Sequence, residues 1–99
     1  MKKRETVFRE KVRRKLKTLK NTWFTSVQQK SISGTPDIIM CVNGKFVALE
    51  LKTNEGKLSK IQGYNIEQIN SSEGYGLVVS PDNFETIFLF LSQISQETL

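Results

Sequence analysis

The sequence predicts an α/β fold, a mixed central sheet flanked by helices in the order α-β-β-β-α-β-α. Apolar residues recur at helical spacing over residues 4–20, which is typical of an amphipathic helix. Two apolar runs are joined by Asn43-Gly44, the strongest short signal for a type I′ hairpin. The run over 75–80 alternates little, as expected for a strand buried on both faces.

The individual elements follow in order along the chain. The first helix has an inward stripe of Phe8, Val12, Leu16 and Leu19. The other elements are a strand over 23–29, hairpin strands over 37–42 and 45–52, a helix over about 58–70 with Leu58, Ile61 and Ile69 inward, a strand over 75–80, and a last helix starting at Ser80-Pro81-Asp82. Asp82 and Glu85 have the spacing of a capping box in that helix, although its "FETIFLFL" run also fits a strand.

The composition limits the chemistry that this chain can perform. Its 99 residues predict one domain, 1–99, and no apolar run approaches the ~20 residues of a membrane span, so we expect a soluble, cytoplasmic protein. The chain contains no histidine, which excludes Ser-His-Asp triads and histidine-metal nucleases. The one cysteine, Cys41, lies in an apolar strand, and we expect a buried, inert thiol. Carboxylates, lysines and a hard metal ion remain as catalytic groups.

Positive charge is concentrated at the start of the chain. Residues 1–20 contain ten of the 15 basic and two of the ten acidic residues, a balance of +8 against −3 for residues 21–99. Such a basic segment is expected to bind phosphate backbones, whereas a solvated helix face and a targeting peptide are the alternatives. The predicted DNA-binding residues are Arg9, Lys11, Arg13, Arg14 and Lys17.

The hairpin register predicts a pair of acids. With Val42 facing Lys45, Asp37 faces Glu50, and like charges opposed across a ladder are destabilising. Because strand side chains alternate, Glu50 and Lys52 share the face of Asp37. Two such carboxylates suit a hard divalent cation, and the lysine could hold a water beside it for phosphodiester hydrolysis. Alternatively, Asp37 belongs to a Pro-Asp turn and the other two face solvent.

These residues resemble the motif of a known family. "PD" followed after 13 residues by "ELK" resembles the PD-(D/E)XK nuclease motif, and "SGTPDII", "FVALELKT", "GKLSKIQ" and "GYGLVVSPDNF" follow one another as in small stand-alone VRR-NUC domains. The resemblance implies a restriction-endonuclease-like α/β core and a metal-dependent endonuclease. It further implies that Asp37, Glu50 and the backbone carbonyl of Leu51 bind Mg²⁺, for which Mn²⁺ substitutes, while Lys52 assists the attacking water.

Two further site residues are implied by the same resemblance. The family has an acid on its first helix, and Glu5 is the better match because its helical angle, about 60° from Phe8, lies within the inward stripe. Glu10 falls on the solvent side, at about 200°. The family's glutamine on the helix after the hairpin is matched by Gln62, for which a surface glutamine is the alternative interpretation.

The resemblance to stand-alone VRR-NUC domains also implies branched DNA as the substrate and a homodimer as the assembly. These domains resemble archaeal Holliday junction resolvases, which act as homodimers on branched DNA. A nicking or restriction-like nuclease on ordinary duplex DNA, and a non-catalytic DNA-binding protein, are the alternative functions. We expect a homodimer formed through the last helix or the last strand. Leu89 and Phe90 of the last helix lie outside its inward stripe. The stripe consists of Phe84, Ile87, Phe88, Leu91 and Ile94.

Overall fold

The chain folds into a four-stranded mixed sheet with helices packed on it. A computed structural model describes residues 3–28, 33–53 and 57–97. Its elements are α1 (Arg4–Leu16), β1 (Thr22–Ser26), β2 (Ile38–Val42), β3 (Lys45–Leu51), α2 (Lys60–Ser71), β4 (Tyr75–Val79) and α3 (Phe84–Ser95). The strand order is β1-β2-β3-β4, with β4 parallel to β3 and the other neighbours antiparallel. The predicted element order and mixed sheet are therefore confirmed. Within the described ranges, every helix is too short or too polar to cross a bilayer.

The hairpin between β2 and β3 forms as its turn residues predict. Asn43 and Gly44 have φ values of 52° and 85°, the two positive values that a type I′ turn requires. The register runs from Val42 opposite Lys45 to Ile38 opposite Leu49. A two-residue turn thus determines which side chains of both strands share a face.

The ladder becomes irregular at Asp37. The amide of Asp37 donates to the carbonyl of Leu49 at 3.0 Å, although Leu49 already faces Ile38. Two residues of one strand then oppose one residue of the other, which is the arrangement of a β-bulge. The predicted ladder pair of Asp37 and Glu50 is therefore wrong. The physical reason is that the Leu51 amide bonds the Asp37 carboxylate at 2.8 Å, so a side chain replaces the backbone partner.

One face of the sheet packs against α1 and α3. The buried apolar residues of this core are Phe8, Val12, Leu16, Ile38, Met40, Val42, Val47, Leu49, Leu51, Val79, Phe84, Leu91 and Ile94. The alternating residues Val47, Leu49 and Leu51 supply the β3 side of this contact, as expected for a strand. Phe8 and Phe84 join the two helices edge to face, with ring centroids 6.2 Å apart.

The other face of the sheet carries α2. Gly76 of β4 allows α2 to approach closely, because a Cβ there would lie 2.9 Å from the carbonyl oxygen of Ile66. Ser59 and Gln62 form a capping box at the start of the helix. Ile61, predicted to face inward, is instead 42% exposed. Cys41, predicted to be buried, is exposed, because it lies on this face beside Phe46, where α2 provides incomplete cover.

The helix ends differ from their predicted positions. α1 ends at Leu16 rather than near residue 20. Just after this end, the Thr18 hydroxyl donates to the Lys15 carbonyl at 2.6 Å. α3 starts at Phe84 with Asn83 as N-cap, so the predicted capping box at Asp82 is wrong. Asn83 instead bonds the end of β4. β1 begins at Thr22, one residue before its predicted start, and ends at Ser26. Residue 29, the predicted end of this strand, lies outside the described residues.

Candidate active site

Asp37 is buried directly before β2, where donors from β3 and α1 contact its carboxylate. The residue is 4% exposed. Its Oδ2 accepts the Leu51 backbone amide at 2.8 Å, and its Oδ1 lies 3.4 Å from the Arg9 guanidinium of α1. Because the Leu51 amide belongs to the peptide that follows Glu50, the bulge places the Asp37 carboxylate against the backbone of the second acid. The Asp37 side chain therefore contacts the peptide between Glu50 and Leu51, instead of facing Glu50 in a ladder pair.

Glu50 is buried on the α2 side of β3. It is 3% exposed, and its Oε2 accepts a hydrogen bond from Gln62 Nε2 at 3.3 Å. The capping box orients this glutamine, since Gln62 Oε1 accepts the Ser59 amide at 2.9 Å. The structure therefore brings Gln62 to the predicted site, where one amide group both caps α2 and contacts the acid.

Leu51 and Lys52 complete the predicted motif at the end of β3. The Leu51 amide, rather than its carbonyl, contacts Asp37. Lys52 lies one residue beyond β3, and its amide extends the pairing with β4 by bonding the Val79 carbonyl at 2.8 Å. Its side chain is half-buried. The backbone around Glu50 is therefore fixed by β4 on one side and by Asp37 on the other.

Glu5 does not lie in the buried stripe of α1. The residue is in the first turn of the helix and is exposed, whereas burial in α1 begins at Phe8. The predicted inward position of Glu5 is therefore wrong, because the first turn extends past the packed part of the helix. Among the described residues, no cluster of three or more acidic, histidine or cysteine side chains is positioned to hold a metal ion.

A polar cavity of about 450 Å³ opens beside Asp37. It lies between α1 and the ends of β1, β2 and β3. Its lining residues are Thr6, Arg9, Glu10, Arg13, Ser26, Val27, Gln28, Asp37, Ile38 and Leu51. Two arginines of α1 thus face the same space as the Asp37 carboxylate.

Arg9 is a site residue whose contact with Asp37 was not predicted. The sequence placed it only among the phosphate-binding residues of α1. Its helical angle, about 100° from Phe8, lies just beside the buried stripe. This angle is the sequence feature that could have predicted a contact between Arg9 and the sheet. Of the other predicted DNA-binding residues, Lys11, Arg13, Arg14 and Lys17 are all exposed.

The donor groups present suit a hard divalent cation. Asp37 and Glu50 supply carboxylate oxygens from adjacent strands, and the Leu51 carbonyl is a third oxygen on the same stretch of backbone. Mg²⁺ prefers oxygen donors and commonly uses one or two carboxylates while retaining water. No protein-family model matches the chain, and no match was found among curated proteins or solved structures.

Proposed function

We propose that the chain is a divalent-metal-dependent DNA endonuclease on a restriction-endonuclease-like core. The observation that carries this proposal is a pair of buried acids close together in the sheet. Asp37 bonds the amide that follows Glu50, and it lines a cavity together with two arginines. Acids buried at 4% and 3% exposure are costly to charge unless a cation or hydrogen bonds compensate them. A metal-dependent site explains why both lie at one end of the sheet.

Each residue of the site would have a separate task. Asp37, Glu50 and the Leu51 carbonyl would hold Mg²⁺, or Mn²⁺ in its place, and Gln62 keeps the Glu50 carboxylate oriented. When bound, the metal would make a coordinated water more acidic and would neutralise charge on the phosphate. Lys52 would hold the attacking water by donating a hydrogen bond to it. Glu5, exposed in the first turn of α1, would contribute at most through solvent.

DNA would approach along α1. The helix carries six basic and two acidic residues, and the basic members Lys11, Arg13 and Arg14 are exposed. Arg13 lies on the wall of the cavity next to Asp37. Phosphates bound along the helix would therefore be brought toward the two carboxylates, and the contacts would be independent of base sequence.

We further propose that the enzyme is a homodimer formed through α3. The alternative, the edge of β4, is already occupied within the chain. Asn70 bonds both the amide and the carbonyl of Gly76, at 2.8 and 3.1 Å, and Asn83 bonds the Val78 carbonyl and the Ser80 amide. These side chains fill positions that a second strand would use.

In contrast to the edge of β4, the outer face of α3 has an exposed apolar side chain. Leu89 is 64% exposed, whereas Phe90 is half-buried against Tyr75, with ring centroids 5.3 Å apart. Leu89 is therefore the apolar residue that a second copy would cover. Paired cuts in branched DNA need two active sites, which a two-fold dimer supplies.

Cleavage of a four-way junction, compared with a linear duplex of the same sequence, tests the proposed activity. With Mg²⁺ we expect cleavage of the junction above that of the duplex, and with EDTA we expect none. Asp37→Asn, Glu50→Gln and Lys52→Ala should each reduce cleavage by at least about a hundredfold, as expected for groups that bind the metal or its water. Glu67→Gln makes the same chemical change at an exposed position of α2 and should cut normally.

The other functions predict different outcomes of the same experiment. Equal cutting of both DNAs would identify a nicking or restriction-like nuclease. Binding of both DNAs in Mg²⁺ with no cutting of either would identify a non-catalytic DNA-binding protein and would refute the proposed endonuclease. Cleavage that persists in Glu50→Gln would place the active site elsewhere on the chain.

A further inference from the structure

Arg9 occupies a position where it and a divalent cation would compete for the same acid. Its Nη2 lies 3.4 Å from Asp37 Oδ1, while Asp37 Oδ2 accepts the Leu51 amide. Asp37 is 4% exposed, so its charge needs compensation inside the protein. The guanidinium supplies positive charge next to the carboxylate, and both residues line the cavity.

A bound cation would change this balance. Two positive groups at one carboxylate oxygen repel each other, and the repulsion is stronger next to a buried group than in water. Asp37 is fixed by the Leu51 amide, whereas the Arg9 side chain is 47% exposed and belongs to a helix surface. Arg9 is therefore the group that can move when a cation binds.

The cavity provides a second partner for the displaced guanidinium. Arg9 lines it together with Arg13, one helical turn away on the same side of α1. A guanidinium binds a phosphate through two parallel hydrogen bonds, so a DNA phosphate in this space would take Arg9 as its partner. Arg9 would then pair with Asp37 in the metal-free state and with a DNA phosphate in the metal-bound state.

We propose that Arg9 is an exchangeable counter-ion of the site. It pairs with Asp37 when the metal is absent and is released to a DNA phosphate when the metal binds. This inference rests on the proposed metal-dependent function and adds the order of events: metal binding prepares the site for the phosphate. Arg9 thereby lowers the affinity for metal and raises the affinity for DNA in the metal-bound state.

Metal affinity, measured without any DNA, gives the first test. Isothermal titration with Mn²⁺ should show binding to Arg9→Ala at least about threefold tighter than to the wild type, as expected from loss of a half-exposed competing ion pair. Arg14→Ala removes the same charge from another exposed position of α1 and should stay within about twofold of the wild type. Arg9→Lys keeps the charge and should restore weaker binding.

DNA affinity gives the second test. In the Lys52→Ala background, where the DNA should remain intact, Arg9→Ala should weaken duplex binding more in Mg²⁺ than in EDTA, because only the metal releases the guanidinium. Mn²⁺ affinity that Arg9→Ala leaves unchanged or weakens would overturn the inference, and the metal site would still stand if Asp37→Asn abolishes Mn²⁺ binding. A wild type that binds no Mn²⁺ would instead refute the proposed function, and the inference with it.

Discussion

The two faces of the sheet are covered to very different extents. On one face, α1 and α3 enclose a continuous apolar core in which Val47 and Leu49 are completely buried. On the other, every residue of α2 keeps part of its surface exposed, and the sheet residues Trp23 and Phe46 are 62% and 47% exposed. The first face therefore provides most of the stability of the fold.

The candidate site draws on both faces. Asp37 is held from the α1 side by Arg9, and Glu50 is held from the α2 side by Gln62. Asp37 is thus held by α1, which packs tightly on the core, whereas Glu50 is held by α2, in which no residue is fully buried. We therefore expect substitutions in α2 to alter the site at a smaller cost in stability than substitutions in the core.

The largest expected effect is on the core face. Leu49→Ala should lower the free energy of unfolding by about 2–5 kcal/mol, because it leaves a cavity in a fully buried part of the sheet. Ile61→Ala, at a 42% exposed position of α2, should cost less than about 1 kcal/mol. Urea denaturation followed by circular dichroism measures both. Similar losses for the two variants would show that α2 packs as closely as α1 and α3.

An intermediate effect is expected where α2 meets β4. Gly76→Ala should cost about 1–3 kcal/mol, because its new Cβ would lie 2.9 Å from the Ile66 carbonyl oxygen and would push α2 away from the sheet. Gly63→Ala is the matched control, since a Cβ there meets nothing within 4 Å. It should raise stability by about 0.5–1 kcal/mol through better helix propensity. A Gly76→Ala variant of unchanged stability would mean that α2 can shift at no cost.

The smallest expected effect concerns the charge difference between the helices. α1 carries a net charge of +4, whereas α2 has one basic and one acidic residue and is neutral. Arg13→Ala and Arg14→Ala should each reduce the slope of log affinity against log salt by about 0.9 for one lost phosphate contact. Lys60→Ala on α2 should leave the slope unchanged. A larger change for Lys60 would place the DNA on the α2 side of the sheet.

Local sequence signals determined the hairpin and the buried stripe of α1. Asn43-Gly44 requires two positive φ values, and this turn determines the register of β2 and β3 as far as Ile38 and Leu49. The apolar spacing of α1 correctly identified its buried residues Phe8, Val12 and Leu16. Such features were predictable because neighbouring residues along the chain alone decide them.

Placement of the acids was predictable in part. The sequence brought Asp37 and Glu50 to the same end of the hairpin. Gln62, which only the family resemblance implied, contacts Glu50. The sequence missed the bulge, because a backbone amide that bonds a side chain instead of the opposite strand leaves no periodic signal. It also placed Glu5 inward, since helical angle alone does not show where packing along a helix begins.

What the sequence by itself determined is the element order, the hairpin register and a pair of acids beside a basic helix. Only the tertiary structure decided that Arg9 pairs with Asp37, that Cys41 is exposed and that Asn70 and Asn83 occupy the edge of β4. The physical reason is the range of the interactions. Turn and helix preferences act over a few residues, whereas an ion pair between residues 9 and 37, or a sheet face left uncovered, depends on how separate elements pack together.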